Sequence, residues 1–294
     1  MTTPLVGCGT ALATPFTTTG AVDERALRGF VDWQLDEGIE FLVPCGSTGE
    51  AATMSIDEQR RVVEITAERA HGRVPVVAGA SSNDTARAIE ISRAMREAGA
   101  THLLHAAPAY TKPPQRGMAL HFRSIADAVD LPIVLYNVPS RTACNIDAST
   151  TLELAADPRF VATKEASGLL PQISDIIARK PSGFSVLSGD DEVTLPMLAL
   201  GADGLISVVS NVAPRLAVEL VHLGRAGDFA EARERHMRLL PLLRAAFVET
   251  NPIPVKAALW MMGRFENVLR SPLVPLEQRH EEVVRSALHH VGAL

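Results

Sequence analysis

Eight short apolar runs alternate with amphipathic stretches along this 294-residue chain, and that alternation restricts the fold more than any other feature. The runs are Gly7–Thr14, Phe41–Cys45, Val74–Ala80, His102–Ala107, Ile133–Val138, Phe160–Ala166, Phe184–Gly189 and Gly204–Val209. Among the intervening stretches, Asp23–Glu37, Ile56–Ala70, Asp84–Ala98 and Gln115–Val129 carry the helical period. Each starts at or just after a polar or acidic residue or a proline that can cap a first turn. Gly38, Gly72 and Gly99 are placed to end three of them. A strand–helix–strand repeat makes a parallel sheet, because the helix is the crossover that brings the chain back. Eight such units predict an α/β fold of the (β/α)8 TIM-barrel type. An open doubly wound sheet is the alternative. It would ordinarily carry a phosphate fingerprint after its first strand, and Gly7-Cys8-Gly9-Thr10-Ala11-Leu12 does not supply one.

Strand signals stop after Gly227. Asp228–Val248, Ile253–Met262 and Leu276–His290 read as helices. The expected organisation is a barrel with the active site over residues 1–227 and a three-helix C-terminal region over 228–294. Composition is that of a soluble globular protein, 47% hydrophobic and 21% charged, with a net charge of −6. No basic stripe is present, which argues against nucleic acid or an anionic membrane as a partner. The start, Met1-Thr2-Thr3-Pro4, has no secretory pattern, and no apolar stretch is long enough to span a bilayer. Cys8, Cys45 and Cys144 are widely spaced, which suits a reducing cytoplasm and no disulfide framework or zinc site.

The chemistry is sought at the C-terminal ends of the strands, where barrel enzymes place their active sites. Lys164 stands there, inside the apolar run Phe160–Ala166. The chain has only four lysines, Lys112, Lys164, Lys180 and Lys256, against 24 arginines, so a lysine kept in a buried strand points to a need for an amine. Desolvation or a nearby cation lowers an amine's pKa, and the neutral form attacks ketones to give a Schiff base. The same strand-end positions contain Ser47 and Thr48 after the second run, both tyrosines of the chain (Tyr110 and Tyr136), Gly189 and Ile206. Gly46-Ser47-Thr48-Gly49-Glu50 lies between a strand and a helix, where two glycines and two hydroxyls suit a small carboxylate. Alone it would read as a turn with an N-cap.

Other polar clusters read as structural. Asp190-Asp191-Glu192 fits the N-terminus of a helix, and Asn251-Pro252 fits a cap followed by an early-helix proline. His71, His102 and His105 lack metal-ligand spacing. Cys45 has nothing obvious to activate it.

Taken together, Gly46–Glu50, Tyr136-Asn137-Val138-Pro139-Ser140-Arg141-Thr142, Lys164-Glu165-Ala166-Ser167-Gly168 and Leu187-Ser188-Gly189-Asp190-Asp191 resemble the dihydrodipicolinate synthase and N-acetylneuraminate lyase family. Gly9–Phe16 and Asn251–Lys256 extend the likeness over nearly the whole chain. The resemblance implies a Schiff-base pyruvate lyase that needs no metal or organic cofactor. Lys164 would attack the ketone and Tyr136 would shuttle protons, with Ser47 and Tyr110 completing the catalytic relay. Thr48, Arg141, Gly189 and Ile206 would bind substrate. Arg141 leans toward the synthase branch, since a guanidinium fork suits the carboxylate of L-aspartate 4-semialdehyde. A pyruvate or 2-keto-3-deoxy sugar acid aldolase or dehydratase of the same family is the alternative, and a keto-acid sensor without turnover is a third reading. The resemblance further implies a homotetramer built as a dimer of dimers, in which Tyr110 reaches the neighbouring subunit's site. In the family's lysine-effector pocket the matching positions are Ile56, Gln59, Asn83, Arg87 and Ala109, of which only Asn83 keeps the usual residue. Insensitivity to lysine is therefore expected.

Overall fold

A computed structural model describes residues 4–294. The start of the chain, at Met1–Thr3, lies outside the described residues. The eight apolar runs all form strands: β1 Gly7–Ala11, β2 Phe41–Val43, β3 Val77–Gly79, β4 His102–Ala106, β5 Ile133–Asn137, β6 Phe160–Glu165, β7 Ser185–Ser188 and β8 Gly204–Ser207. Each is shorter than its run. The reduction is greatest in Val74–Ala80, where Pro75 has no amide to donate and only accepts, from Leu42 N at 3.0 Å.

All pairings are parallel, in the order β2-β1-β8-β7-β6-β5-β4-β3. The ring closes between β2 and β3 through a Leu42–Val76 bridge and a bond from Gly79 N to Pro44 O at 2.9 Å. Gly79 is needed for that closure, because a Cβ there would lie 2.1 Å from Cys45 O. The result is a TIM barrel with helices outside it, as the alternation predicted.

Within the barrel, Ala11, Phe41, Val43, Val77, Leu104, Val134, Ala162, Leu187 and Ile206 pack into one interior cluster. The period of two places Thr163 and Glu165 on the outer face of β6 and Lys164 on the inner one. Glu165 accordingly meets Asn137 and the outer helix Leu170–Arg179 through Gln172.

The expected helices form as Glu24–Asp36, Ile56–Ala70, Thr85–Glu97 and Gln115–Ala128. Ile56–Ala70 begins with a complete capping box between Ser55 and Glu58. Gly38 and Gly99 take positive φ just past their helices. The third stop departs slightly from expectation, since His71 turns left-handed one residue before Gly72. After residue 228 the helices are Phe229–Ala245, Ile253–Met261 and Gln278–Val291. Leu239, Leu242 and Leu288 share one hydrophobic cluster with Leu42, Leu220 and Val221. Burying that shared apolar face is what fastens the last helices to the barrel. No helix among the described residues is long and apolar enough to cross a membrane.

Candidate active site

Lys164 lies near the C-terminal end of β6, in register with Tyr136 on β5 and Leu187 on β7. It is 5% exposed, and its Nζ stands 4.3 Å from the centroid of the Tyr136 ring. Among the described residues no carboxylate forms a salt bridge with it. Burial lowers its pKa to about 8; the charge of Asp191 works against that shift and Arg141 adds to it. Near neutral pH an appreciable fraction of the amine is therefore neutral and nucleophilic. Burial also pushes the Tyr136 phenol up to about 12, so it keeps its proton and can donate it. Gly189 gives the lysine its space. A Cβ there would sit 2.8 Å from Lys164 Cγ and 3.0 Å from Cε. Ile206, fully buried on β8, belongs to the barrel interior cluster.

The Gly46–Glu50 segment forms a tight loop. The amides of Gly49, Glu50 and Ala51 turn back onto the carbonyls of Gly46, Ser47 and Gly46. Among the described residues the amides of Ser47 and Thr48 have no such partner, which leaves two donors free. Glu50 holds the loop's far end in a left-handed conformation, at φ 54°. Its buried carboxylate accepts from Lys256 Nζ at 2.6 Å and from Arg270 N at 3.0 Å. Thr14 Oγ1, three residues past β1, donates to Gly49 O at 2.7 Å and adds a fixing point. Ser47 is exposed at the rim, whereas Thr48 is 3% exposed.

Arg141 lies in the short helix Pro139–Thr142 after β5 and donates through Nη2 to Asn251 O at 3.1 Å. Tyr110 is not brought to Lys164. It is 88% exposed, in a left-handed conformation at φ 70°, with its amide 3.3 Å from Thr142 O. No hydrogen bond joins Ser47, Tyr110 and Tyr136 among the described residues. The structure thus gathers Lys164, Tyr136, Gly189 and Ile206, connects Thr48 to Arg141 through Asn251, and leaves Ser47 and Tyr110 at the periphery of this single chain.

Two segments behave otherwise than their sequence suggests. Asp191 does not serve the helix that follows it, which begins at Thr194 and has no acidic residue in its first turn. Asp191 is buried, and it accepts from Ser207 Oγ at 2.5 Å and Val208 N at 2.8 Å. Burial, the main cause, raises its pKa to about 6, while those hydrogen bonds hold it down. It is the nearest thing Lys164 has to a counter-charge, and no spacing in the sequence reveals that. Asn251 does not cap the helix Ile253–Met261, whose N-cap is Pro252. Its amide instead donates to Thr48 Oγ1 at 2.9 Å, 203 positions away in the chain. His105 is buried in the core, His71 ends a helix, and burial raises the Cys45 thiol to about 12, away from the reactive thiolate.

The fold is of the TIM-barrel class, with a desolvated lysine amine at the ends of its strands. The chain belongs to the Dihydrodipicolinate synthetase family, whose family model matches residues 4–291. It is 51% identical over 291 residues to the 4-hydroxy-tetrahydrodipicolinate synthase of Koribacter versatilis, covering 99% of this chain and 97% of that one. The crystal structure of dihydrodipicolinate synthase from Aquifex aeolicus superposes with a TM-score of 0.96 at 42% identity, covering 98% of this chain and 99% of that one. The chloride-inhibited synthase from Acinetobacter baumannii, complexed with pyruvate, has a TM-score of 0.96 at 38% identity, covering 98% and 99%.

Proposed function

We propose that this protein is a 4-hydroxy-tetrahydrodipicolinate synthase, condensing pyruvate with L-aspartate 4-semialdehyde in the diaminopimelate branch of lysine biosynthesis. The observation that carries the reading is the Lys164 amine, buried without a salt-bridge partner and with its pKa lowered to about 8. In this reading Lys164 attacks the pyruvate ketone, and loss of water gives the iminium. The free amides of Ser47 and Thr48, with their hydroxyls, hold the pyruvate carboxylate. Tyr136 supplies and recovers protons as the carbinolamine dehydrates and as the iminium loses a methyl proton to form the enamine. The enamine carbon then attacks the aldehyde, forming the new carbon–carbon bond, and Arg141 holds the aldehyde's carboxylate. The protonated imine is itself the electron sink, so the chemistry calls for no metal or organic cofactor. Gly189 and Ile206 shape the space beside the lysine.

The exposure of Tyr110 supports an assembly in which it completes a proton relay in a neighbouring subunit, with a dimer as the smallest active unit and a tetramer as the whole. The cytoplasm is the compartment that suits such a biosynthetic enzyme. At the positions of the lysine-effector pocket, Gln59 is tied to Ala51 O and Met54 O, and Arg87 pairs with Glu90 at 2.6 Å. A cation at Arg87 would oppose the amine of a bound lysine. We expect millimolar lysine to leave the rate unchanged, and inhibition in that range would refute this.

Borohydride reduction in the presence of pyruvate, followed by peptide mass mapping, tests the mechanism. The expected adduct is on Lys164, and its absence would sink the Schiff-base reading. A panel of aspartate semialdehyde, 2-keto-3-deoxy sugar acids and N-acetylneuraminate tests the second substrate. Faster turnover of a sugar acid would overturn the synthase assignment.

A further inference from the structure

The Thr48 hydroxyl is where the carboxylate-holding loop meets the C-terminal part of the chain. Its oxygen accepts from Asn251 Nδ2 at 2.9 Å. An amide nitrogen only donates, and a hydroxyl has a single hydrogen. Toward Asn251 the Thr48 oxygen is therefore the acceptor, and its hydrogen remains for another acceptor. A keto-acid carboxylate is such a group. Through its backbone carbonyl the same Asn251 accepts from Arg141 Nη2 at 3.1 Å. One residue thus touches both the loop assigned to the pyruvate carboxylate and the arginine assigned to the aldehyde's carboxylate.

A second observation sets this asparagine apart. It is 5% exposed, and its Oδ1 is buried with no hydrogen-bond partner among the described residues. Burying an unsatisfied amide oxygen costs stability, and an apolar side chain would avoid that cost. Asn251 also does not cap its helix, so local secondary structure gives no reason for it. Among the described residues the contact with Thr48 is the one bond its side-chain nitrogen makes.

We propose that Asn251 is a positioning residue. It fixes the Thr48 hydroxyl as a donor toward the keto-acid carboxylate, and through its carbonyl it ties Arg141 to the same point. The inference rests on the proposed pyruvate chemistry. Losing Asn251 frees the hydroxyl to turn its hydrogen elsewhere and releases no catalytic group. The deficit should therefore appear in substrate affinity more than in turnover.

The test is borohydride trapping across a range of pyruvate concentrations, with steady-state kinetics, on the full-length protein and on Asn251→Ala, Asn251→Asp, Thr48→Val and the Asn251→Ala/Thr48→Val double variant. In Asn251→Ala, half-maximal trapping of Lys164 should need about ten-fold more pyruvate, the scale of one hydrogen bond to a charged group, with a smaller fall in kcat. The double variant should be no worse than Thr48→Val, because without the hydroxyl there is nothing left to orient. Asn251→Asp keeps the shape but replaces the donor by an acceptor that captures the Thr48 hydrogen, so its half-saturation should exceed that of Asn251→Ala. Multiplying effects in the double variant, or wild-type half-saturation in Asn251→Asp, would overturn the proposal. Normal trapping with unchanged half-saturation in Asn251→Ala would overturn the positioning role alone. No trapping in the unaltered protein would overturn the pyruvate reading beneath it. Thermal unfolding of each variant separates these outcomes from misfolding, and the isosteric Asn251→Asp keeps the test available if Asn251→Ala does not fold.

Discussion

Two lysines are buried among the described residues, one on a barrel strand and one on the helix Ile253–Met261, and they meet opposite surroundings. Lys164 is 5% exposed and lies over the Tyr136 ring with no carboxylate in salt-bridge contact. Lys256 is fully buried, lies 4.2 Å from the Phe16 ring centroid, and is bonded to Glu50 at 2.6 Å. Burial lowers the pKa of both. At Lys256 the touching Glu50 carboxylate works against that shift, and the paired amine anchors a loop. At Lys164 the opposing charge of Asp191 is spent largely on Ser207 and Val208, and the amine stays poised to lose its proton. Burial alone therefore does not make a lysine reactive. Burial with the counter-charge held at a remove favours the neutral form of the amine.

The two amines differ most in what their loss removes, and Lys164 carries the larger effect. Replacing it with Met should lower turnover by at least about three orders of magnitude, because the covalent step is lost. Lys256→Met should retain trapping at Lys164 but destabilise the protein. It strands the Glu50 carboxylate in the interior, at a cost of about 3–5 kcal/mol in denaturant unfolding. Removing both charges, in Glu50→Leu/Lys256→Met, should recover most of that loss. Failure to recover would mean that the pair does more than satisfy its own burial.

A smaller effect is expected from Gly189→Ala. Its methyl group falls 2.8 Å from Lys164 Cγ and must displace the lysine, so kcat/KM should fall by about ten- to a hundred-fold. An unchanged kcat/KM would show that the amine is not held as tightly as the structure implies.

The most subtle test is pH. Lys164 has a folded pKa of about 8, below its ordinary 10.5, so single-turnover imine formation should rise with pH and level off above about 8. A midpoint near 10.5 would mean that the amine is solvated and the contrast with Lys256 is lost. Stability has the complementary sign. A depressed amine pKa penalises the folded state below pH 8, and the penalty fades as pH rises toward 10.5. Lys164→Met should therefore raise the melting temperature most below pH 8, by an amount that shrinks as the pH rises toward 10.5.

Much of this was legible in the sequence, for physical reasons. Strands buried on both faces must be apolar throughout, so β1 to β8 announce themselves as runs. Their ends do not. Gly7–Thr14 reads as one strand, yet after Ala11 its groups turn to Val43 O, Asn211 Oδ1 and Gly49 O. Lys164 is visible because a lone lysine in an apolar run is costly unless it is used. Asp191 is hidden because acidic residues before a helix usually serve the helix, and only the β7–β8 neighbourhood gives this one another role. Asn251 and the Glu50–Lys256 pair are hidden because their partners lie 203 and 206 positions away.

By itself the sequence determined the barrel, its eight strands and the candidate nucleophile, since periodicity, chain reversal and the cost of burying an amine are all local. The tertiary structure alone decided which of two buried lysines is paired, which amides of the Gly46–Glu50 loop are free, and which residue links that loop to Arg141. Those outcomes depend on distances between groups far apart in the chain, and it is distance and dielectric, not order along the sequence, that set charge and hydrogen-bond polarity.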